Sequence, residues 1–400
     1  MRILLVSAEY PPLPGGIGDY TAALAHTLQA QGATVAILTG NGAPDQEHDT
    51  VPVFRRVRSW GRRVREDVEA VMAEWQADLL HIQYQTGAYQ MKPAINLLPS
   101  RLDLPTAVTF HDLRMPYLGP KVAPLRRYVT RLLIESSAGV VVTNAEDLAR
   151  LAGDPSLVAD PDMYSFARPL HPPPVLIPIG ANIAVQPLPD RAALREKLGV
   201  AADGFLVAYF GLINQSKGVH TVIESLQYLP ETTRLVLIGG AALGARDQEY
   251  GQVVQATLER LGLHERVTRT GYLSAEEVSR TLQAADAAAL PFVDGASYRR
   301  GSLLAALAHG LPTITTFPRV PIDPPLRHNR NVQLIDPGDP INLALEIERL
   351  ASDSGLRAQL ADAGKVVARA FRWETIAAQH ISLYQRLLGG VEAAQHEHAR

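Results

Sequence analysis

The sequence predicts an α/β protein made of two doubly wound halves, each a parallel sheet with helices on both faces. Three observations lead there. A chain of 400 residues is too long for one ordinary core and usually divides into two domains. Strand-length apolar runs alternate with helical patterns throughout, which is the pattern of parallel sheets. A proline-rich stretch, Asp154 to Pro189 with HPPPVLIPIG inside it, breaks the alternation where regular pairing is hard to sustain.

In order along the chain, RILLVSA is the first strand, a Pro- and Gly-rich turn follows, and Tyr20 to Ala30 is a helix. The next strands are Thr34 to Leu38, Leu79 to Ile82, Thr106 to Phe110 and Val140 to Val142. After the proline-rich crossing, Phe205 to Phe210 opens a second series. A helix over Gly218 to Leu229 follows, then strands at Arg234 to Ile238, Val267 to Thr270, Ala287 to Leu290, Thr313 to Thr316 and Val332 to Leu334. The first domain is therefore placed at residues 1–175 and the second at 176–372. An amphipathic helix is expected over 373–388 and a frayed tail over 389–400.

The bulk numbers exclude several classes. With 46% hydrophobic and 20% charged residues, the composition is that of a globular protein. A formal net charge of −3 argues against a whole-chain polyanion binder, so any basic surface is local. There are no cysteines, hence no disulfide and no thiolate metal site. The twelve histidines show no helical metal-ligand pair beside an acid, so no metal is expected. MRILLVSAEYPP is too short an apolar run for a signal-peptide core, and no run of about 18 apolar residues suggests a membrane span. The expected location is the cytoplasm.

Four stretches carry candidate chemistry. In PPLPGGIGDY, Gly15, Gly16 and Gly18 sit between a strand and a helix, where glycine lets a backbone approach a ligand. The spacing is not the dinucleotide fingerprint, and the second strand ends TVAILTGNG without a ribose-holding acid, which disfavours a nicotinamide enzyme. A ligand-free tight turn is the alternative. In TAVTFHDLR, His111 and Asp112 stand at a strand's carboxyl end, where ligands of such sheets bind; a packing or capping role is equally open. His81 and Tyr84 in ADLLHIQY share that geometry, and Glu9 and Asp19 are weaker acceptor contacts that read as well as surface and capping residues. In YFGLINQSKG, Gly211 ends a strand, and Asn214 and Lys217 occupy the loop before a helix. A lysine beside a helix start is a phosphate-binding arrangement. In DGASYRRGSLLAALAHGLP, Asp294, Ser297, Arg299, Arg300, Gly301 and Ser302 lie at the beginning of a small-residue helix with a glycine stop at Gly310.

These motifs taken together resemble the retaining GT-B glycosyltransferases, family 4 (group 1) in particular. The stretches that carry the likeness are the G-G-x-G turn, TFHD, VTNAEDLARL, LIPIGANI, FGLINQSKG, RLVLIGG, RTGYLSAEEVSRTLQAADAAALPF and FRWETIA, in the right order over nearly the whole chain. The resemblance implies two Rossmann-like doubly wound domains facing across a cleft, with the 373–388 helix packing back on the first. It implies that 1–175 holds an acceptor and 176–372 a nucleoside-diphosphate sugar, the co-substrate, with no further cofactor and no metal. It implies hexosyl transfer with retention, with His111 and Lys217 as catalytic residues. Gly15, Gly16, Gly211, Asn214, Asp294, Ser297, Arg299, Arg300, Gly301 and Ser302 would be on the donor side, and Gly18, Asp19, Tyr84 and Asp112 on the acceptor side.

Two departures stand out. Leu212 occupies a position where the family often has arginine. Ser297 and Ala305 occupy those of a Glu pair that holds the donor's hydroxyls, a loss of about 1.5–3 kcal/mol per hydrogen bond. Arg299 and Arg300 then become candidates for the charge missing at Leu212. Asp160-Pro161-Asp162 matches a D-x-D metal pattern but lies in the proline-rich loop and is read as chance. The Arg-rich 55–65 stretch and the 121–131 cluster (Lys121, Arg126, Arg127, Arg131) suit a glycan or lipid-linked acceptor and peripheral contact with the inner face of a membrane; solvated faces with local ion pairs are the other reading. Nucleic acid is not expected, since no recognition module accompanies the charge. A non-catalytic ligand-binding protein and a nucleotide-sugar epimerase on the same fold are the alternatives to a transferase.

Overall fold

The computed structural model describes residues 1–13, 15–42, 50–113, 123–154, 170–240 and 245–398. The chain forms two compact units, Met1–Ile179 with Trp373–Arg400, and Gly180–Arg372.

The first unit is built on a parallel sheet in the order β3-β2-β1-β4-β5-β6-β7. Its strands are β1 (Arg2–Ser7), β2 (Thr34–Gly40), β3 (Val53–Val57), β4 (Leu79–Tyr84), β5 (Thr106–Phe110), β6 (Gly139–Val142) and β7 (Val175–Leu176). The apolar run of β1 reads as continuous because both of its faces are covered. Ile3 and Leu5 pack with Leu24 and Leu28 of α1 (Gly16–Ala30) and with Ile376 and Tyr384 of the C-terminal helix. Leu4 and Val6 pack on the other face with Val68 and Val71 of α2 (Val64–Trp75). Two further helices, α3 (Ala123–Ser136) and α4 (Ala145–Leu151), complete the described helices of this part.

The second unit has strand order β10-β9-β8-β11-β12-β13, also parallel. The strands are β8 (Phe205–Phe210), β9 (Thr233–Ile238), β10 (Val267–Gly271), β11 (Ala287–Leu290), β12 (Thr313–Thr316) and β13 (Gln333–Ile335). Its helices are α5 (Arg191–Lys197), α6 (Val219–Ser225), α7 (Ala245–Leu261), α8 (Ala275–Ala284), α9 (Gly301–Ala308), α10 (Pro340–Ser352) and α11 (Ser354–Ala368). The last helix, α12 (Trp373–His398), returns to the first unit and packs on α1.

Several expectations change. The first unit extends to Ile179, beyond residue 175, because β7 pairs with β6 (Val141 with Val175). Residues 389–398 continue α12 as helix instead of fraying. β3 lies inside the arginine-rich stretch, where FRRV gives no apolar alternation; as an edge strand it needs only one partner. The arginines there are largely engaged locally. Arg55 donates to the Pro11 carbonyl at 2.6 Å, Arg56 pairs with Glu74, Arg58 with Asp67 at 3.6 Å, and Arg65 with Glu69 at 2.7 Å. In the second cluster Arg126 is buried and bonded to the Met91 carbonyl, and Arg131 pairs with Glu135 at 2.7 Å. Lys121 and the D-x-D match at 160–162 lie outside the described residues. Among the described residues, no helix is long and apolar enough to cross a membrane.

Candidate active site

In the first unit the G-G-x-G turn begins α1 earlier than the sequence suggests, so Gly16 and Gly18 belong to its first turn. The helix start already meets an anion from its own unit. The Glu9 carboxylate accepts from the Ile17 N–H, and burial raises its pKa despite that bond, with Asp19 adding to the rise. A Cβ at Gly15 would fall 2.2 Å from Glu9 Oε2, whereas Gly16 faces open space. Gly18 is a packing position: a Cβ there would lie 3.0 Å from the Tyr10 nitrogen and 3.1 Å from the Glu9 carbonyl carbon. Of the three glycines, only Gly16 has open space where a Cβ would be. Asp19 is exposed.

His111 follows β5 directly, and its N–H is held by the Tyr84 carbonyl at 3.0 Å. Its Nε2 bonds to Gln83 Oε1 at 2.9 Å, and the Tyr20 ring stands edge-on at 4.7 Å. Burial, with His380 nearby, pushes its pKa down to about 3, so the imidazole is neutral across the physiological range. Asp112 is half-buried and accepts from the Gln85 amide. Tyr84, expected on the acceptor side, is turned into the core. It is 1% exposed, packs on Phe110 and Tyr89, and its hydroxyl is engaged by Asn96 and Thr86, because even positions of β4 face the sheet's other core.

In the second unit β8 ends at Phe210 and is followed by Gly211, whose φ of +141° belongs to a region that favours glycine. A Cβ there would lie 2.6 Å from Lys217 Nζ, so the glycine lets the lysine fold back over the strand end. Asn214 shapes this loop; its Oδ1 accepts from the Ser216 hydroxyl at 2.9 Å and its carbonyl from the Lys217 N–H at 3.2 Å. Burial first, and Arg300 second, lower the pKa of Lys217 to about 8. The Ser216 carbonyl takes the Val293 N–H at 3.0 Å, tying this loop to the one after β11.

That second loop carries the arginines. Tyr298 is buried with its hydroxyl on the Pro324 carbonyl, which anchors the segment. Arg299 reaches Asp294 Oδ2 at 2.7 Å, and Arg300 grips the same carboxylate while lying 5.1 Å over the Phe292 ring. Asp294 is therefore the shared counter-ion of the two arginines. Arg300 stands at the N-cap position of α9 without a side-chain capping bond, Gly301 opens onto free space, and Ser302 is 6% exposed with its hydroxyl oxygen buried and without a partner among the described residues. Ser297 is 1% exposed and Ala305 fully buried, so neither position presents a carboxylate. Three residues were not singled out from sequence: Gln83, Tyr20 and Tyr272, the last 90% exposed just beyond β10. Gln83 had a signal, a second polar residue two positions after His81 in a buried strand.

Two Rossmann-like parallel sheets in one chain, each with its polar cluster at strand carboxyl ends, match the fold of GT-B glycosyltransferases. Sucrose-phosphate synthase from Thermosynechococcus elongatus superposes with a TM-score of 0.74 at 23% identity, over 98% of this chain and 100% of that one. Anabaena HepE in complex with UDP and glucose gives 0.71 at 20% identity, over 96% and 99%. Residues 15–161 match the glycosyl transferase 4-like domain, and residues 190–367 match the glycosyl transferases group 1 domain. The chain belongs to the group 1 glycosyltransferases. A D-inositol 3-phosphate glycosyltransferase from Xylanimonas cellulosilytica is 27% identical over 96% of both chains. Mannosylfructose-phosphate synthase from Agrobacterium fabrum is 25% identical over 49% of this chain and 43% of its own.

Proposed function

We propose that this glycosyltransferase moves a hexosyl group from a nucleoside-diphosphate sugar to a hydroxyl acceptor, with retention at the anomeric carbon and without a metal. The observation that carries the reading is the half-buried lysine folded over Gly211 beside Arg300 and the α9 start. Fixed cations and N–H groups there match the charge that grows on a departing diphosphate, and they supply what a divalent cation otherwise would. The UDP complexes of the fold's relatives support the donor class. In the step, the acceptor oxygen bonds to the anomeric carbon as the bond from that carbon to the diphosphate oxygen breaks. The acceptor's proton passes to that leaving oxygen on the same face. His111 stays neutral and hydrogen-bonds a sugar hydroxyl. Glycan or lipid-linked alcohols fit the hydroxyl-acceptor class.

Two measurements test this. Slow release of nucleoside diphosphate from a nucleotide sugar is expected without acceptor and without added metal, and His111→Ala should abolish it. Dependence on a divalent ion, or an inverted product anomer, overturns the corresponding part. Tyr272 offers a stacking surface for the base, so Tyr272→Ala should weaken nucleoside and nucleoside diphosphate equally, by about 1–3 kcal/mol in calorimetric titration. No change for either removes Tyr272 from the site.

A further inference from the structure

The face of the first sheet under α1 and α12 holds more polar side chains than packing requires. Along β4, His81 and Gln83 share a face with Thr109 and His111 from the β5 side, and the strands register Gln83 beside Thr109. His81 is satisfied at both nitrogens, by the Tyr384 hydroxyl at 2.6 Å and Thr109 Oγ1 at 2.8 Å. His380 donates Nδ1–H to the Ile376 carbonyl at 2.9 Å. Gln83 is fully buried, and its Oε1 is spent on His111 while its Nε2 has no partner among the described residues. Burying an amide costs free energy unless it is hydrogen-bonded, so its retention beside His111 asks for a use.

We propose that Gln83 is the positioning residue of His111: its Oε1 takes the Nε2 hydrogen, holds the ring as the neutral Nε2–H tautomer, and leaves Nδ1 to accept a hydrogen bond from a ligand hydroxyl. A neutral imidazole has one donor and one acceptor, so fixing the first assigns the second. The titratable groups around the ring, His81, His380, Tyr20 and Tyr384, are held in their uncharged forms by burial, and none supplies a charge that favours imidazolium. His111 thus acts as an acceptor toward the substrate, not as a general acid. This use of His111 rests on the glycosyltransferase reading above; its tautomer does not.

The test is a proton–nitrogen correlation spectrum of the full-length protein with isotope-labelled histidine, with His111 assigned by its loss in His111→Gln. Wild type should show His111 protonated at Nε2 alone. Gln83→Leu should give a mixture of both tautomers, and kcat/KM for nucleoside diphosphate release should fall about tenfold. Gln83→Glu keeps the shape and the acceptor, so it should retain Nε2–H and move the His111 titration upward toward neutrality. A wild-type ring protonated at Nδ1, an unchanged tautomer in Gln83→Leu, or an unchanged titration in Gln83→Glu each overturns the proposal. Absence of turnover with every donor would sink the glycosyltransferase reading while the spectra still decide the tautomer.

Discussion

Lys217→Ala is expected to lower kcat/KM for nucleoside diphosphate release by about a hundredfold to a thousandfold, with little change in affinity for the free nucleoside. Gly211 lets the ammonium lie over the end of β8, where it is partly withdrawn from water and its field is weakly screened. Burial and Arg300 hold its pKa at about 8, so the charged form prevails below that pH and is lost above it. The wild-type kcat/KM should therefore fall as pH rises through about 8, and this limb should vanish in the variant. An equal loss of nucleoside and diphosphate binding would make the lysine a structural element only.

Acidification should unfold the first unit well before the usual carboxylate range dominates. His111 and His380 are held at about 3 and about 4, and His81 also lies below its ordinary value, all chiefly by burial. His111 and His380 bind no proton in the folded state near pH 5, but each binds one once unfolded, where its pKa returns to about 6.5, and His81 is shifted in the same direction. The unfolded state then holds more protons, so stability falls as pH drops below about 6.5 and continues to fall toward the folded values. Each histidine contributes up to about 1.4 kcal/mol per pH unit, a large share of a domain stability of about 5–15 kcal/mol. All three tryptophans, Trp60, Trp75 and Trp373, belong to this unit, so their fluorescence reports on it alone. Urea midpoints by tryptophan emission should decline between pH 7 and 5, and His380→Gln should remove one proton's worth of slope. A flat midpoint over that range would show that the histidines take up no protons on unfolding.

Much of the fold could be read along the chain, and the reason is local. Buried parallel strands such as Thr106–Phe110, Phe205–Phe210, Ala287–Leu290 and Thr313–Thr316 are apolar or small on both faces, so run length alone marks them. β3 escaped because an edge strand of arginines carries no such run. The start of α1 escaped because two glycines there suggest a turn, yet the chain is already helical at Gly16.

The site divides in the same way. Gly211, Lys217, His111 and the α9 start were legible because each stands where a strand stops or a helix begins, and sequence order fixes such positions. What surrounds them was not legible. Asp294 meeting both Arg299 and Arg300, Glu9 filling the space at Gly15, and Tyr84 turned into the core depend on contacts between distant segments and on which face of a strand a side chain takes. The same holds for Gln83 on His111, 28 residues apart and joined through neighbouring strands. By itself the sequence pointed to most of the buried strands, to a two-part chain and to the family, since periodicity and motif order are properties of one dimension. Only the tertiary structure decided which charges are already paired and which polar groups are turned into the core. Hydrogen bonds and ion pairs form across space, where sequence separation carries no information.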